Sequence, residues 1–127
     1  MNYGLSKKVD LSYEDAIVKV TEELKKDGFG ILTEIDVKAT LKKKLDVDVD
    51  KYIILGACNP GFAHQALQIE NELGLLLPCN TIVYEIEGEV FVSIMNPEIM
   101  SSVVDNEKLV KIANDVKNIL QKVLDRV

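Results

Sequence analysis

Two Cys-Asn pairs, each with a proline beside it, are the stretches of this sequence best suited to chemistry. They lie in ILGACNPGFAHQAL at residues 54–67 and in LLPCN at residues 76–80. Asn59 and Pro60 are typical of the N-cap and first position of a helix, so Cys58 lies just outside a helix N-terminus. The helix dipole and free N–H groups there stabilise a thiolate, which would make Cys58 a reactive or ligand-binding thiol. The alternative, favoured because free cysteines are so often buried, is a small apolar residue that ends a strand.

Cys79 has a plainer setting, because it follows Pro78 and precedes a predicted strand with no helix terminus beside it. We therefore expect a buried packing residue. A helix predicted over residues 60–73 would return along the strand at 51–58, so the next strand would run parallel and Cys79 would lie at the opposite end of the sheet from Cys58. A shared site is then not expected within one chain, unless the loop or a partner subunit brings the cysteines together. The spacing also fits no zinc pattern, because four ligands are usually needed.

His64 is the only histidine. It lies opposite the apolar stripe of the third predicted helix, which favours a position facing solvent or a partner subunit. Helical side chains lean toward the N-terminus of their helix, however, and this lean aims His64 toward Cys58. A cysteine and a histidine in contact can act as nucleophile and base or as two metal ligands, so both interpretations stay open.

A third polar group, Glu34, Asp36 and Lys38 in TEIDVKATL, lies at a predicted strand–helix junction. Glu34 and Asp36 fall on the same side of an extended chain, where a carboxylate pair can bind a cation or serve acid–base chemistry. The structural interpretation, which we favour, makes Asp36 a helix N-cap, Glu34 a solvated strand residue and Lys38 a surface residue. The sequence contains no phosphate-binding glycine loop, nucleotide fingerprint or Ser-His-Asp order.

The composition is that of a soluble globular protein, since 47% of the 127 residues are hydrophobic and 28% are charged. The formal net charge of −6 argues against a nucleic-acid partner. The sequence has no signal-peptide pattern and no apolar run of about 20 residues, so we expect neither export nor a membrane partner. Two cysteines in such a chain are typical of reduced thiols, and we expect a cytoplasmic protein.

The elements that position these residues follow from hydrophobic periodicity and capping signals. Strands are predicted at 2–10, 29–35, 51–58, 80–87 and 89–95. Helices are predicted from Ser12 to Gly28, after the Asp36 cap, over 60–73, after Asn96-Pro97 and over 106–126. The order β-α-β-α-β-α-β-β-α predicts one α+β domain, residues 1–127, with a single sheet of about five strands and helices packed against it.

Four ordered blocks of the chain resemble the family called domain of unknown function 302: GFGILTEIDVKATLKKKL at 28–45, YIILGACNPGFAHQAL at 52–67, LGLLLPCNTIVYE at 73–85 and NPEIM at 96–100. The resemblance covers nearly the whole chain. It implies a small, α+β and oligomeric protein, and it brings no established activity. The positions that match the family's motifs are Glu34, Asp36, Lys38, Cys58, Asn59, Pro60, His64, Pro78, Cys79 and Asn80.

Three functions remain open. The first, which we adopt, is a homodimeric binding module for a small molecule or a metal ion, with these candidate ligand-binding residues: Cys58, Asn59, His64, Cys79, Glu34, Asp36 and Lys38. The second is a thiol-dependent enzyme or redox protein that uses Cys58, and the third is a structural or interaction protein without a ligand. A homodimer agrees with the resemblance and with the frequency of two-fold dimers. The sequence identifies no cofactor, reaction or catalytic residue.

Overall fold

The computed structural model describes residues 2–127, and its elements follow the order that the sequence predicts. The strands in this range are β1 (Gly4–Val9), β2 (Gly30–Asp36), β3 (Tyr52–Cys58), β4 (Cys79–Ile86) and β5 (Glu89–Met95). The helices are α1 (Tyr13–Lys26), α2 (Val37–Leu45), α3 (Pro60–Ile69), α4 (Glu98–Val103) and α5 (Glu107–Arg126), with a 3-10 helix at Asn71–Leu76. The predicted α+β class is therefore confirmed.

All five strands of the described chain belong to one antiparallel sheet, in the order β1-β5-β4-β3-β2. β3 and β4 are antiparallel neighbours, with Ala57 opposite Cys79. The parallel arrangement expected for these two strands is therefore wrong. The reason lies in their connection, because α3 ends at Ile69 rather than near residue 73 and the 3-10 helix follows. These two short elements return the chain to the end of the sheet where β3 stops.

Short-range hydrogen bonds begin the helices where the sequence predicts. The side-chain oxygens of three N-cap residues each accept a bond from the backbone N–H three residues further on: Ser12 at 3.0 Å, Asp36 at 2.9 Å and Asn59 at 3.3 Å. The Asn59 amide also donates to the carbonyl oxygen of Asp27 at 3.4 Å, which joins the start of α3 to the end of α1. Gly28, with a φ of +84°, completes this junction, because a Cβ there would lie 3.0 Å from the Asn59 Nδ2 atom.

One face of the sheet is covered by helices and holds the larger of two hydrophobic clusters. This main cluster packs α1 and α5 against alternate residues of the strands: Leu5, Val9, Leu55, Ala57, Val83, Val90, Val92 and Ile94. A second cluster joins α3, the 3-10 helix, α4 and the start of α5 through Ala66, Leu73, Met100 and Leu109. The helices other than α2 are therefore held by two separate groups of buried side chains.

The opposite face of the sheet, here called the open face, contributes to neither cluster. It presents the other alternate residues of the strands, and these side chains among them are at least partly exposed: Ile35, Tyr52, Ile54, Ile82, Tyr84, Phe91, Ser93 and Met95. Tyr84 stacks between Tyr52 and Phe91, with ring centroids 5.5 and 5.3 Å apart. The sheet is thus apolar on both faces but covered on one.

Candidate ligand-binding site

The antiparallel pairing of β3 with β4 brings the two Cys-Asn pairs to the same end of the sheet. Ala57 lies opposite Cys79, so Cys58, the last residue of β3, lies beside the first residue of β4. The expectation that the cysteines occupy opposite ends of the sheet is wrong, because it depended on a parallel β4. Both cysteines are free thiols.

A cavity bordered by both cysteines lies between this end of the sheet, α3 and α5. The main cluster contributes Phe29, Ala57 and Val116 to its wall, and the second cluster contributes Ala66 and Met100. Its volume is about 30 Å³. A water molecule needs roughly 10–15 Å³, whereas ordinary ligand pockets measure roughly 300–1,000 Å³. The cavity as it stands therefore admits only a few atoms.

The two thiols differ in the chemistry open to them. Cys79 is 7% exposed, and its burial, with the neighbouring Cys58 as a second cause, raises the pKa of the Cys79 thiol to about 11. Cys79 therefore stays protonated at neutral pH and is a poor nucleophile. Cys58 is only partly buried and directly precedes Asn59, the N-cap of α3. Cys58 is thus the thiol that a reagent or ligand can reach.

His64 does not line the cavity. It is exposed, and its Nε2 atom lies 3.3 Å from the side-chain nitrogen of Gln68, one turn further along α3. No hydrogen bond in the described chain joins His64 to Cys58. The structure therefore places this histidine on the solvent side of α3.

The polar group at the β2–α2 junction lies at the other end of β2 from the cysteines, because Cys58 is opposite the first residue of that strand and Asp36 is its last. Asp36 caps α2, and the Lys38 Nζ atom donates to the carbonyl oxygen of Val49 at 2.6 Å. Glu34 is exposed on the edge strand. Across residues 2–127, no three His, Cys, Asp or Glu side chains are grouped as a metal ion requires.

Two parts of this region carry no local signal in the sequence. The apolar stripe of α3 predicts Phe62 as a packing residue, but nothing relates it to Met100 of α4 or Val116 of α5, which complete the cavity wall. Thr81 lies two residues beyond Cys79 on β4 and is fully buried. Its Oγ1 atom has no hydrogen-bond partner among the residues that the structure describes. These features arise from packing between elements that lie far apart in the chain.

The fold and the cavity define a one-sheet α+β domain with a small apolar cavity at one end of the sheet, an architecture that does not by itself determine a function. The family described as Domain of unknown function DUF302 matches residues 5–127, and the chain belongs to that family. The resemblance seen in the four sequence blocks is therefore confirmed.

A solved relative has the same fold over its whole length. The crystal structure of an uncharacterized conserved protein DUF302 from Bacillus stearothermophilus is 28% identical in sequence, with a TM-score of 0.92 over 99% of this chain and 98% of that one. No curated protein matches the chain. Within residues 2–127, no helix combines the length and the apolar character needed to cross a membrane.

Proposed function

We propose that this protein is a homodimeric, cytoplasmic binding module for a small apolar molecule, which occupies the cavity between the two Cys-Asn pairs. The lining of that cavity carries the proposal: Phe29, Phe62, Met100 and Val116 surround it with aromatic, thioether and aliphatic groups, and Cys58 borders it. Aromatic rings and a flexible methionine adapt well to an apolar ligand. A charged ligand would be left without a partner in such a wall and is disfavoured.

A metal ion has less support than an organic ligand. The cavity offers two thiols, and within residues 2–127 no third His, Cys, Asp or Glu side chain is grouped with them as a metal ion requires. His64 faces solvent beside Gln68 rather than the cavity. We therefore assign the ligand to the class of small apolar molecules.

A ligand of more than a few atoms requires the second cluster to move away from the main cluster. The cavity lies along the boundary between them, since Ala57 and Val116 belong to one and Ala66 and Met100 to the other. The second cluster is built from short elements, among them the 6-residue α4 and the 10-residue α3. Segments with few buried contacts open at a lower free energy than core strands do. We therefore expect the α3–α4 side to move.

Methyl NMR of the methionines tests ligand binding with an internal control. The sequence contains three methionines, of which Met100 lines the cavity and Met95 lies on the open face. In protein with ¹³C-labelled methionine methyl groups, titration with indole, a small apolar probe, is expected to shift the Met100 signal to saturation and to leave Met95 unchanged. A Met100 signal that stays in place up to the solubility limit of indole contradicts the proposal.

Two variants of α3 make this test specific. Ala63→Leu adds bulk to the cavity wall and is expected to weaken indole binding about tenfold or more, a change of roughly 1.4 kcal/mol. Gln65→Leu adds an apolar side chain to the exposed side of the same helix and is expected to leave indole binding unchanged. If both variants bind indole as the wild type does, the indole lies outside the cavity.

A thiol-dependent activity is the second candidate, and it is supported by the position of the partly buried Cys58 directly before the α3 N-cap. Its test is the rate at which iodoacetamide labels Cys58 in the folded protein, read by mass spectrometry. Labelling faster than that of free glutathione at the same pH supports a reactive thiol. Labelling that requires unfolding shows that Cys58 only fills space.

A further inference from the structure

The open face and helix α2 together leave a large apolar surface exposed. α2 contains no buried residue. A nine-residue helix is marginal in water on its own, and within one chain α2 packs against β2 and β3 with Val37 and Leu41 only partly buried. Leu45, the last residue of α2, is 67% exposed, and the apolar side chains on either side of the helix are exposed as well: Ile35 by 48% and Val47 by 41%.

Two rows of apolar side chains cross the open face. One row runs over β2, β3 and β4, where Ile35 is opposite Ile54 and Ile54 is opposite Ile82. The other row is the stack of Tyr52, Tyr84 and Phe91 on β3, β4 and β5. An antiparallel sheet that faces water alternates apolar residues inward with polar residues outward. Here most outward residues of β3, β4 and β5 are aromatic or aliphatic, whereas Ser6, Lys8 and Ser93 make the side toward β1 polar. The part of the face from β2 to β5 therefore has the composition of a covered one.

The charges at one end of this surface are complementary. Strand pairing places the start of α2 and the β4–β5 turn at the same end of the sheet. Lys43 and Lys44 of α2 form no ion pair within residues 2–127, and neither do Glu85 and Glu87 beside the turn. Glu85 shares the covered face with Val83, so the free carboxylate nearest the open face at this end is that of Glu87, which lies on a different element from the two free cations.

We propose that this surface is where two copies of the chain associate, open face against open face, about a two-fold axis parallel to the strands. That rotation keeps the same ends of the two sheets together and exchanges their edges, so α2 of each copy approaches the β4–β5 turn of the other. The apolar rows then cover each other, and Lys43 and Lys44 approach the carboxylate of Glu87. This proposal rests on the homodimer of the proposed function, and it does not depend on whether a ligand binds in the cavity.

Sedimentation equilibrium of the full chain tests the surface with three single variants. The wild type is expected to form a dimer, and Leu45→Glu on α2 and Ile35→Lys in the apolar rows are each expected to raise its dissociation constant about tenfold or more, because each places a charge in the surface that the dimer covers. Both side chains are exposed in one copy, so the fold is retained, which circular dichroism checks. Val18→Glu is the matched control, since Val18 on α1 is 55% exposed and lies outside the surface. It is expected to leave the dissociation constant unchanged.

A charge exchange tests the orientation of the two copies. Lys44→Glu alone is expected to weaken the dimer, because two like charges then meet across the interface. Adding Glu87→Lys to that variant is expected to restore the affinity. If the double variant is weaker than the single one, the proposed two-fold arrangement is wrong.

Two results overturn the self-association. One is a wild-type chain that stays monomeric up to its solubility limit, which would leave the open face to a different macromolecule. The other is a dimer that Leu45→Glu and Ile35→Lys do not weaken. The indole titration separates this proposal from the ligand proposal. A monomer whose Met100 signal still responds to indole contradicts the self-association alone, and a dimer without that response contradicts the ligand alone.

Discussion

The two faces of the sheet are built from the same strands but differ in what covers them. Leu55 and Val83 are fully buried beneath the helices, whereas the adjacent Ile54 and Tyr84 are only partly buried. Side chains of a strand point to alternate faces, so a strand that is apolar throughout presents apolar groups to both. One chain has helices for one face only. The covered face therefore stabilises the single chain, and the open face is the surface that we propose for association.

The largest expected effect compares two adjacent residues of β3. Leu55→Ala removes a fully buried side chain and is expected to lower the free energy of unfolding by about 2–5 kcal/mol. Ile54→Ala, on the open face, is expected to cost less than half as much in dilute protein, where association is absent. Urea unfolding measures both. Equal losses would show that the open face is already covered within one chain.

A glycine on the open face offers the next test. A Cβ at Gly56 would lie against the Thr33 hydroxyl and 2.9 Å from the Pro78 Cγ atom, closer than real contacts allow. Gly56→Ala is therefore expected to lower the free energy of unfolding by about 1–3 kcal/mol through overpacking. Gly30→Ala is the control, because no atom lies within 4 Å of a Cβ there. A loss no larger than that of the control would mean that Thr33 and Pro78 move aside freely.

A cluster of ion pairs joins α1 to α5 on the covered face of the sheet. Its contribution to the free energy of unfolding is expected to depend on pH. Hydrogen bonds from Lys26, then from Arg126, lower the pKa of the Glu23 carboxyl to about 2. Arg126 reaches it from α5, with its Nε atom 2.6 Å from the carboxylate. Because the folded-state pKa lies below the unfolded value of roughly 4.3, this contribution is present in full above that pH and is lost as the pH falls toward 2.

The measurement is the urea midpoint of Glu23→Gln and wild type between pH 7 and about 2. The variant is expected to be the less stable at neutral pH, and the difference is expected to shrink as the pH falls through the window from roughly 4.3 to about 2. Glu22→Gln, at the exposed neighbouring position, is expected to show no such convergence. A constant difference across this range would mean that the carboxylate charge does not hold the two helices together.

The smallest expected effect is a difference between the alkylation rates of the two cysteines, which is measured without any change in protein stability. With a pKa of about 11, Cys79 is only about 0.1% thiolate at pH 8. Iodoacetamide is therefore expected to label Cys58 in the folded protein long before Cys79, and the two rates are expected to converge in urea. Because burial is the main cause of the raised pKa, Cys58→Ser is expected to leave Cys79 slow. A fast Cys79 in that variant would assign the protection to the Cys58 thiol instead.

Much of the fold could be predicted from the sequence because its signals are local. The caps at Ser12, Asp36 and Asn59 act on backbone groups three residues away, and all three are present. The direction of β4 could not be predicted in this way. It depends on where the segment after Ile69 returns to the sheet, and the packing of that segment is a long-range property.

The candidate site was predictable only in part, for the same reason. The sequence identifies Cys58 beside a helix N-terminus, and the structure places it there. The neighbours of Cys58 differ from the histidine that the sequence suggested. Cys58 borders the cavity together with Cys79 and Met100, whereas His64 faces solvent. Periodicity predicts which side of a helix is apolar, but it does not say which other element covers that side.

The sequence by itself determined the elements, their caps and the alternation of side chains along each strand, since these depend on residues within a few positions of one another. The tertiary structure alone decided that β4 runs antiparallel to β3, that a cavity forms between the two clusters, and that one apolar face of the sheet stays open. These features arise from contacts between residues far apart in the chain. Such contacts depend on how much apolar surface each packing buries, which no short stretch of sequence specifies.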